Sequence, residues 1–229
     1  MGMPKHVGII ADGNRRFARK QVLAPWKGHR FGIDTVFSIV EWAAEKDITE
    51  LTFYTLSKQN LNREKEELEQ LFLLIKEHLP RAVEKAKEKN VRIKFIGDRK
   101  LLPEDVQEVM NTSEQETSNG EQGVVNFAMA YGGREEILSA CKALANQVAQ
   151  GTLTPEEITE EQITNNLYLA SEPELIIRTG GEKRTSNFLP WQSTYAEWAF
   201  LETLFPALTK EEFFATLDEF SKRDRRFGK

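Results

Sequence analysis

Near its start the chain reads His6-Val7-Gly8-Ile9-Ile10-Ala11-Asp12-Gly13-Asn14-Arg15-Arg16. The apolar run at residues 7–10 is typical of a buried strand, and a polar, cationic stretch follows it directly. Ligands of parallel α/β sheets gather beyond the carboxyl ends of the strands. We therefore expect a buried strand whose end presents Asp12 and two arginines to a ligand.

The alternation of short apolar runs with longer amphipathic ones continues along the chain. Apolar runs predict further strands at residues 51–56, 91–96, 124–130, 175–177 and 198–201. Helical spacing predicts helices over 32–46, 64–89, 134–150, 155–169 and 209–222, the last with Thr209 as N-cap and Glu212 completing a capping box. This order predicts one α/β domain over residues 1–229, with a mainly parallel sheet of roughly six strands flanked by helices.

The composition of the chain excludes several classes of protein. The 229 residues include 31 basic and 36 acidic side chains, a net charge of −5, and 40% are apolar. A disordered chain is excluded, and we expect no nucleic-acid partner. The only cysteine, Cys141, excludes a disulfide framework, and we interpret it as a small core residue. No apolar run is long enough for a membrane span and no signal peptide is evident, so we expect a cytoplasmic protein.

Polar segments follow three of the predicted strands, at residues 11–18, 57–63 and 178–187. They are rich in Arg, Lys, Asn, Ser and Gly, although the whole chain is acidic. Arginine offers paired donors to phosphate oxygens, and glycine lets backbone N–H groups approach an anion. If the segments meet at one edge of the sheet, they predict a phosphate or diphosphate pocket in which Asp12 could hold Mg²⁺.

Each of these features also has a purely structural explanation. Asp12-Gly13 is a common turn, an arginine pair usually covers a solvated face, and His29 or Glu197 taken alone would be ordinary. The apolar stripe of the 64–79 helix is more often core than the wall of a ligand cleft. The common nucleotide-binding loops, a hydrolase serine elbow and paired zinc histidines are missing from the sequence. The convergence of three cationic segments is what favours the diphosphate pocket.

The longer motifs resemble those of one family. Residues 6–18 resemble the first signature of the cis-prenyltransferases, the undecaprenyl diphosphate synthase family. Gly28-His29-Arg30-Phe31-Gly32 is similar to its G-H-x-x-G element, and residues 57–63 occupy the place of its S-T-E-N-W-x-R stretch. A Tyr-Gly-Gly-Arg element of the family is matched by residues 131–134. The family's most specific signature is similar to residues 177–192, and its C-terminal R-x-G resembles residues 225–228.

The resemblance implies a Mg²⁺-dependent homodimer with a hydrophobic cleft. Such enzymes add isopentenyl diphosphate units, with cis double bonds, to an allylic diphosphate such as farnesyl or geranylgeranyl diphosphate. The implied product is a polyprenyl diphosphate, the precursor of a glycan carrier lipid. Peripheral contact with the inner face of the membrane, through that lipid, is part of the same expectation.

The resemblance also implies roles for individual residues. Asp12 and Asn60 are catalytic, and Asp12 and Glu197 are metal ligands. The residues implied around the allylic diphosphate are Gly13, Asn14, Arg15, Arg16, Phe17 and His29. The residues implied around isopentenyl diphosphate and beside Asn60 are Ser57, Leu61, Arg63, Arg178, Arg184, Thr185 and Ser186. Arg226 and Gly228 are implied to reach the neighbouring subunit's site.

Some positions depart from the family pattern and leave two alternatives open. The departures are Ala11 for Met, Pro25 for Arg, Lys58-Gln59 for Thr/Ser-Glu, Leu61 for an aromatic residue and Lys183 for a His. One alternative is a short-chain enzyme, for which Thr55 in place of a common Ala is a hint. The other is a non-catalytic subunit of a heteromeric cis-prenyltransferase.

Overall fold

The computed structural model describes residues 2–223, and all structural statements concern that range. Arg226 and Gly228 lie outside it. Six strands form one sheet, β1 (His6–Ile10), β2 (Glu50–Ser57), β3 (Val91–Ile96), β4 (Gly123–Tyr131), β5 (Leu175–Arg178) and β6 (Glu197–Phe200). Their order is β3-β4-β2-β1-β5-β6, and every pairing is parallel. The predicted α/β fold with a parallel six-stranded sheet is confirmed.

In the described part of the chain, residues 2–223, seven α-helices connect and flank the strands. They are α1 (Asn14–Lys20), α2 (Gly28–Ala44), α3 (Lys65–Glu88), α4 (Glu104–Glu116), α5 (Gly133–Ala149), α6 (Glu160–Asn165) and α7 (Lys210–Ser221). None of the helices in residues 2–223 is both long and apolar enough to cross a bilayer.

The central strand β1 is buried on both faces. Val7 and Ile9 belong to an apolar cluster with side chains of α2 and α7. Ile10, on the other face, packs in a cluster that includes Phe188. Burial on both sides explains why this strand is a continuous apolar run without polar alternation.

The topology reverses direction beside β1. From β1 the chain crosses to β2 on one side, whereas from β5, the other neighbour of β1, it continues outward to β6. The crevice between the carboxyl ends of β1 and β5 is therefore a topological switch point, where open α/β sheets bind ligands. Asp12 and Arg178 lie at these two strand ends.

Two predicted segments differ in local structure. The sequence predicts no helix in the polar segment of residues 11–18, but residues 14–20 form α1. This helix is too short to give a periodic signal, and its Ala18 is fully buried. The helix expected over 155–169 is limited to α6 because Thr154 and Thr159 each begin a separate short turn. The side chain of Thr159 accepts a hydrogen bond from the Gln162 backbone N–H.

Two predicted side-chain placements are wrong. Cys141 is exposed, because the buried face of α5 carries Ala140 and Leu144 and the next position turns away from it. The N-cap role of Thr209 is confirmed, but Glu212 does not complete a capping box with it. Glu212 Oε1 instead accepts a hydrogen bond from Thr203 Oγ1 at 2.8 Å.

A buried carboxylate, Glu136 on α5, joins three parts of the fold. Its Oε1 accepts hydrogen bonds from the backbone N–H groups of Tyr168 and Leu169, at 2.8 and 3.2 Å, and from Gln192 Nε2. Its Oε2 accepts from the hydroxyl of Tyr131, at the end of β4. Burial raises the pKa of Glu136, while these donors oppose that shift.

We expect Glu136→Gln to lower the free energy of unfolding by about 2 to 4 kcal/mol, because an amide NH₂ would leave a buried donor without an acceptor. Chemical denaturation measures the change. The control is Glu161→Gln at an exposed position, for which we expect a change of about 0.5 kcal/mol or less. Equal stability of the two variants would contradict the structural role of Glu136.

Candidate active site

The pocket at the switch point is organised around one ion pair. Arg178 Nη2 donates to Asp12 Oδ2 at 2.9 Å, and the Arg178 side chain is only 4% exposed. The other nitrogen, Nη1, donates to Ser186 Oγ at 2.8 Å and to the Arg184 backbone carbonyl. The Nε atom of Arg178 is buried without a partner within residues 2–223. The guanidinium is therefore fixed in place and keeps one donor unused.

The loop that carries Ser186 is held by the start of α5. Ser186 and Asn187 adopt left-handed backbone conformations, with φ of 51° and 64°. Asn187 Oδ1 accepts from the Arg134 backbone N–H at 2.9 Å, and its carbonyl accepts from the Gly133 N–H. These bonds connect the segment of residues 131–134 to the segment of residues 177–192.

The helices α1 and α2 bring further groups to Asp12. Arg16 Nη2 donates to Asp12 Oδ1 at 3.1 Å, and Gly13 lies between Asp12 and α1. Gly180 has a φ of 88°, and a Cβ there would lie 2.5 Å from Arg16 Nη2. A Cβ on Gly28 would lie 1.9 Å from the Asn14 carbonyl oxygen, so the glycine lets α2 pack directly against α1.

Ser57 and Asn60 form a reciprocal cap at the end of β2. Ser57 Oγ accepts from the Asn60 backbone N–H at 3.1 Å, and Asn60 Oδ1 accepts from the Ser57 N–H at 3.3 Å. Both residues line the pocket. Because its oxygen is held by the cap, Asn60 can turn only its NH₂ group toward a ligand.

Glu67, on α3, is a site residue that the sequence analysis missed. Its Oε1 lies 3.0 Å from Arg63 Nη1 and 3.7 Å from Arg15 Nε. The four-residue spacing from Arg63 was the signal available in the sequence. Four arginines around the pocket thus share only two carboxylates, and the surplus of positive charge favours an anionic ligand. The arginines are Arg15, Arg16, Arg63 and Arg178, and the carboxylates are Asp12 and Glu67.

His29, the second residue of α2, lines the same pocket. Burial, together with the positive charge of Arg63, lowers its pKa from 6.5 to about 4. Its Nε2 is buried and has no partner within residues 2–223. His29 is therefore a neutral imidazole near pH 7, with one ring nitrogen available to a ligand.

The polar pocket continues into an apolar cavity between the sheet, α2 and α3. The two share the lining residues Ile33, Val36, Thr55, Leu74 and Ile75. The cavity then follows α3 as far as Lys89, about 22 Å beyond Leu74 at about 1.5 Å per helical residue. The register of β2 shifts around Thr55, and such a bulge re-aims side chains beside a site.

Some of the expected binding residues lie at the rim of the pocket or outside it. Phe17 packs against Phe31, with ring centroids 5.5 Å apart. Leu61 packs against the apolar cluster of α3 and α4. Arg184 and Thr185 are exposed, and the Arg184 guanidinium pairs with Glu182 at 2.6 Å.

Glu197 is not brought to Asp12. It begins β6 in register with Leu175, whereas the pocket edge corresponds to the Arg178–Phe200 pair. Three strand residues, at about 3.3 Å each, place Glu197 about 10 Å from that edge. Its Oε2 instead lies 2.6 Å from Arg223 Nη1. Within residues 2–223 of one chain, the expected pair of metal carboxylates is not formed.

The donor set still fits a magnesium ion held together with substrate. No group of three or more His, Cys, Asp or Glu side chains within residues 2–223 could enclose a metal. Mg²⁺ is usually bound by one or two carboxylates plus substrate phosphates and water. Each oxygen of Asp12 accepts one hydrogen bond from an arginine and retains a further lone pair.

Comparison with known proteins identifies the family. Residues 10–228 match a family model described as putative undecaprenyl diphosphate synthase. The chain belongs to the undecaprenyl diphosphate synthase family. It is an enzyme of the class that transfers prenyl groups, and the resemblance seen in the motifs is confirmed.

Individual members of the undecaprenyl diphosphate synthase family match over nearly the full chain. A Methanopyrus kandleri protein named tritrans,polycis-undecaprenyl-diphosphate synthase (geranylgeranyl-diphosphate specific) is 42% identical over 99% of this chain and 85% of its own. The structure of a probable undecaprenyl diphosphate synthase from Campylobacter jejuni has a TM-score of 0.83 and 38% identity, covering 100% of both chains. Lavandulyl diphosphate synthase from Lavandula x intermedia, solved with dimethylallyl diphosphate, has a TM-score of 0.95 and 32% identity, covering 99% of both.

We expect His29 to make the stability of the ligand-free enzyme depend on pH. The unfolded chain takes up the proton near the ordinary pKa of 6.5, but the folded chain does so only at about 4. The free energy of unfolding should therefore fall as the pH drops between these values. Denaturation at a series of pH values measures the slope, and His29→Gln should reduce it. An unchanged slope in the variant, or an NMR titration of His29 near 6.5, would contradict this.

Proposed function

We propose that this enzyme condenses isopentenyl diphosphate with an allylic diphosphate and extends the chain by cis double bonds. The observation that carries the proposal is the continuity between the two cavities. A cationic pocket suits a diphosphate head, and the apolar cavity that opens from it suits the hydrocarbon tail of the same molecule. Farnesyl and geranylgeranyl diphosphate are the primers that we propose.

Two groups of donors suit the two diphosphates. His29 lines the pocket on the α2 side, while Arg15 and Arg16 on α1 pair with Glu67 and Asp12, and we assign these three residues to the allylic diphosphate. Arg178 and Ser186 lie on the β5 side, and we assign them, with the exposed Arg184, to isopentenyl diphosphate. Holding both substrates in fixed orientation turns a reaction between two molecules into one within a single complex.

Negative charge develops on the leaving diphosphate during the reaction, and the cationic pocket is suited to stabilise it. The allylic C–O bond breaks, the diphosphate leaves, the allylic carbon bonds the terminal alkene carbon, and one proton is lost. The fixed guanidinium groups stabilise the negative charge that develops on the leaving group. Asp12 orients Arg16 toward it and fixes Arg178 at the isopentenyl diphosphate side of the pocket. The NH₂ group of Asn60 can position a diphosphate oxygen, which is a better proton acceptor than the amide.

Magnesium completes this proposal. Asp12 would hold Mg²⁺ jointly with diphosphate oxygens, and when bound the ion supplies positive charge that offsets the charge of the leaving diphosphate. The residues that the chain itself contributes around it are Asp12, Arg16 and Arg178.

The apolar cavity suits a tail of several isoprene units. It runs about 22 Å along α3, far longer than a five-carbon chain can fill, and on this ground we propose a polyprenyl product. A short-chain enzyme is the second candidate, supported by the similarity to lavandulyl diphosphate synthase and by Thr55 at the junction of the two cavities. The retained Asp12–Arg178 pair argues against a non-catalytic subunit.

We also propose that the enzyme is a homodimer. The outer edge of β6 pairs with no strand of residues 2–223, and Trp198 and Phe200 on it are only half-buried. Their rings are stacked, with centroids 5.8 Å apart. An open strand edge bearing aromatic side chains is suited to cover by a second copy.

We expect Asp12→Asn to lower turnover by about 100-fold or more, because it frees two guanidinium groups and weakens the hold on Mg²⁺. The assay measures transfer of radiolabelled isopentenyl diphosphate to farnesyl or geranylgeranyl diphosphate with Mg²⁺. The control is Asp34→Asn, an exposed aspartate on α2, which should retain wild-type turnover. A change of less than threefold in Asp12→Asn would remove Asp12 from the mechanism.

We expect Ala82→Phe to shorten the product. Ala82 lines the apolar cavity about 11 Å beyond Ile75, so an aromatic ring there would block the growing chain. Chromatographic sizing of the labelled lipid measures the product length. Ala145→Phe, on the exposed face of α5, is the matched control and should give wild-type products. Identical product lengths in both variants would contradict the assignment of this cavity to the tail.

A further inference from the structure

The stretch of chain between Asp12 and Asp34 carries only one sign of charge. This basic segment, residues 13–33, contains six basic side chains and no acidic one, although the whole chain carries −5. Arg15 and Arg16 belong to the pocket. The remaining basic side chains are all exposed, and they are Arg19, Lys20, Lys27 and Arg30. Within residues 2–223, no carboxylate forms an ion pair with Arg19, Lys20 or Lys27.

Val22, at the tip of the basic segment, has a backbone conformation that valine disfavours. The Leu23 N–H donates to the Ala18 carbonyl and the Val22 N–H to the Arg19 carbonyl, the pattern of a Schellman motif that ends α1. The motif puts Val22 in the left-handed region, with φ of 57°, where glycine is favoured and a β-branched residue is strained. The side chain is nevertheless 94% exposed, so folding gains nothing from it.

An exposed aliphatic side chain, in a segment with exposed cations that lack carboxylate partners within residues 2–223, fits the surface of an anionic lipid bilayer. We propose that the basic segment docks on such a surface, with Val22 entering the boundary between headgroups and acyl chains. Arg19, Lys20 and Lys27 would then contact the lipid phosphates. The strain at Val22 and the missing carboxylate partners are both explained by this one contact.

A bilayer fits these side chains better than a nucleic acid does. Both present phosphates, but the most exposed apolar side chain of the basic segment is the aliphatic Val22, which offers no face on which bases could stack. The aromatic rings of the segment are engaged within it, Phe17 against Phe31 and Trp26 beneath the Lys27 ammonium group. The basic segment also forms one wall of the polar pocket, because its inward-facing residues Asn14 and His29 line it. Docking would therefore place the pocket beside the membrane, where, on the proposed function, a polyprenyl product is released.

Removing two of the cations tests the proposal. Co-sedimentation measures binding of the full chain to vesicles of equal parts phosphatidylcholine and phosphatidylglycerol, and to phosphatidylcholine alone. We expect binding only to the anionic vesicles, weakened by salt. The variant Arg19→Gln/Lys20→Gln should bind roughly 10- to 30-fold more weakly. The control Arg92→Gln/Lys94→Gln removes the same charges from exposed positions on β3 and should bind like wild type.

Replacing the strained Val22 tests the proposal in a second way, because vesicle binding should weaken while the stability of the protein is kept or raised. We expect Val22→Gly to bind anionic vesicles about five-fold more weakly, because the inserting side chain is lost. The same variant should be at least as stable as wild type, because glycine suits the left-handed position. Weaker binding together with an equal or higher melting temperature cannot be attributed to unfolding.

Three results would overturn the proposal. They are no binding of wild type to anionic vesicles, equal binding by the two charge-pair variants, and preferential binding of wild type to a single-stranded oligonucleotide. None of these measurements uses catalysis. The outcome is therefore separate from that of the transfer assay, in which all these variants should retain wild-type turnover with primer supplied in solution.

Discussion

The ion pair between Asp12 and Arg178 is the interaction on which the site depends. A guanidinium that is 4% exposed is stable only if its charge and donors are satisfied, and Asp12, Ser186 and the Arg184 carbonyl do this. The pair also joins the ends of β1 and β5, the two strands that flank the switch point. Removing Asp12 would leave a buried charge without compensation and free the loop that follows β5.

The arrangement of strands around the Asp12–Arg178 pair also connects the polar pocket to the apolar cavity. Because β1 and β2 are neighbours in the sheet, the bulge at the end of β2 lies beside the pocket that Asp12 organises. Thr55, at that bulge, lines both cavities, so a ligand with a charged head and an apolar tail can occupy them together. The basic segment forms part of the same wall, and in the membrane contact that we propose it is the side from which a lipid approaches the pocket.

Much of this was predictable from the sequence, because strand burial and motif order are local properties. The run at residues 7–10 predicted β1, and the cationic stretches after three strands predicted the pocket. Glu67 was not predicted, because its pairing with Arg15 joins α3 to α1 across a long stretch of sequence. The resemblance implies Glu197 as a metal ligand with Asp12, but within one chain Glu197 starts β6, three residues from the end of the strand at which Asp12 lies. Cys141 was misplaced because one residue of helical rotation separates the buried face of α5 from the exposed one.

The most direct test of the central claim is a crystal structure of the enzyme with Mg²⁺ and a non-reactive thio analogue of farnesyl diphosphate. The account predicts that the diphosphate lies against Arg16 and His29, beside Asp12. It also predicts that the tail passes Thr55 into the cavity between α2 and α3. A tail bound elsewhere, or a diphosphate held away from the ends of β1 and β5, would contradict it.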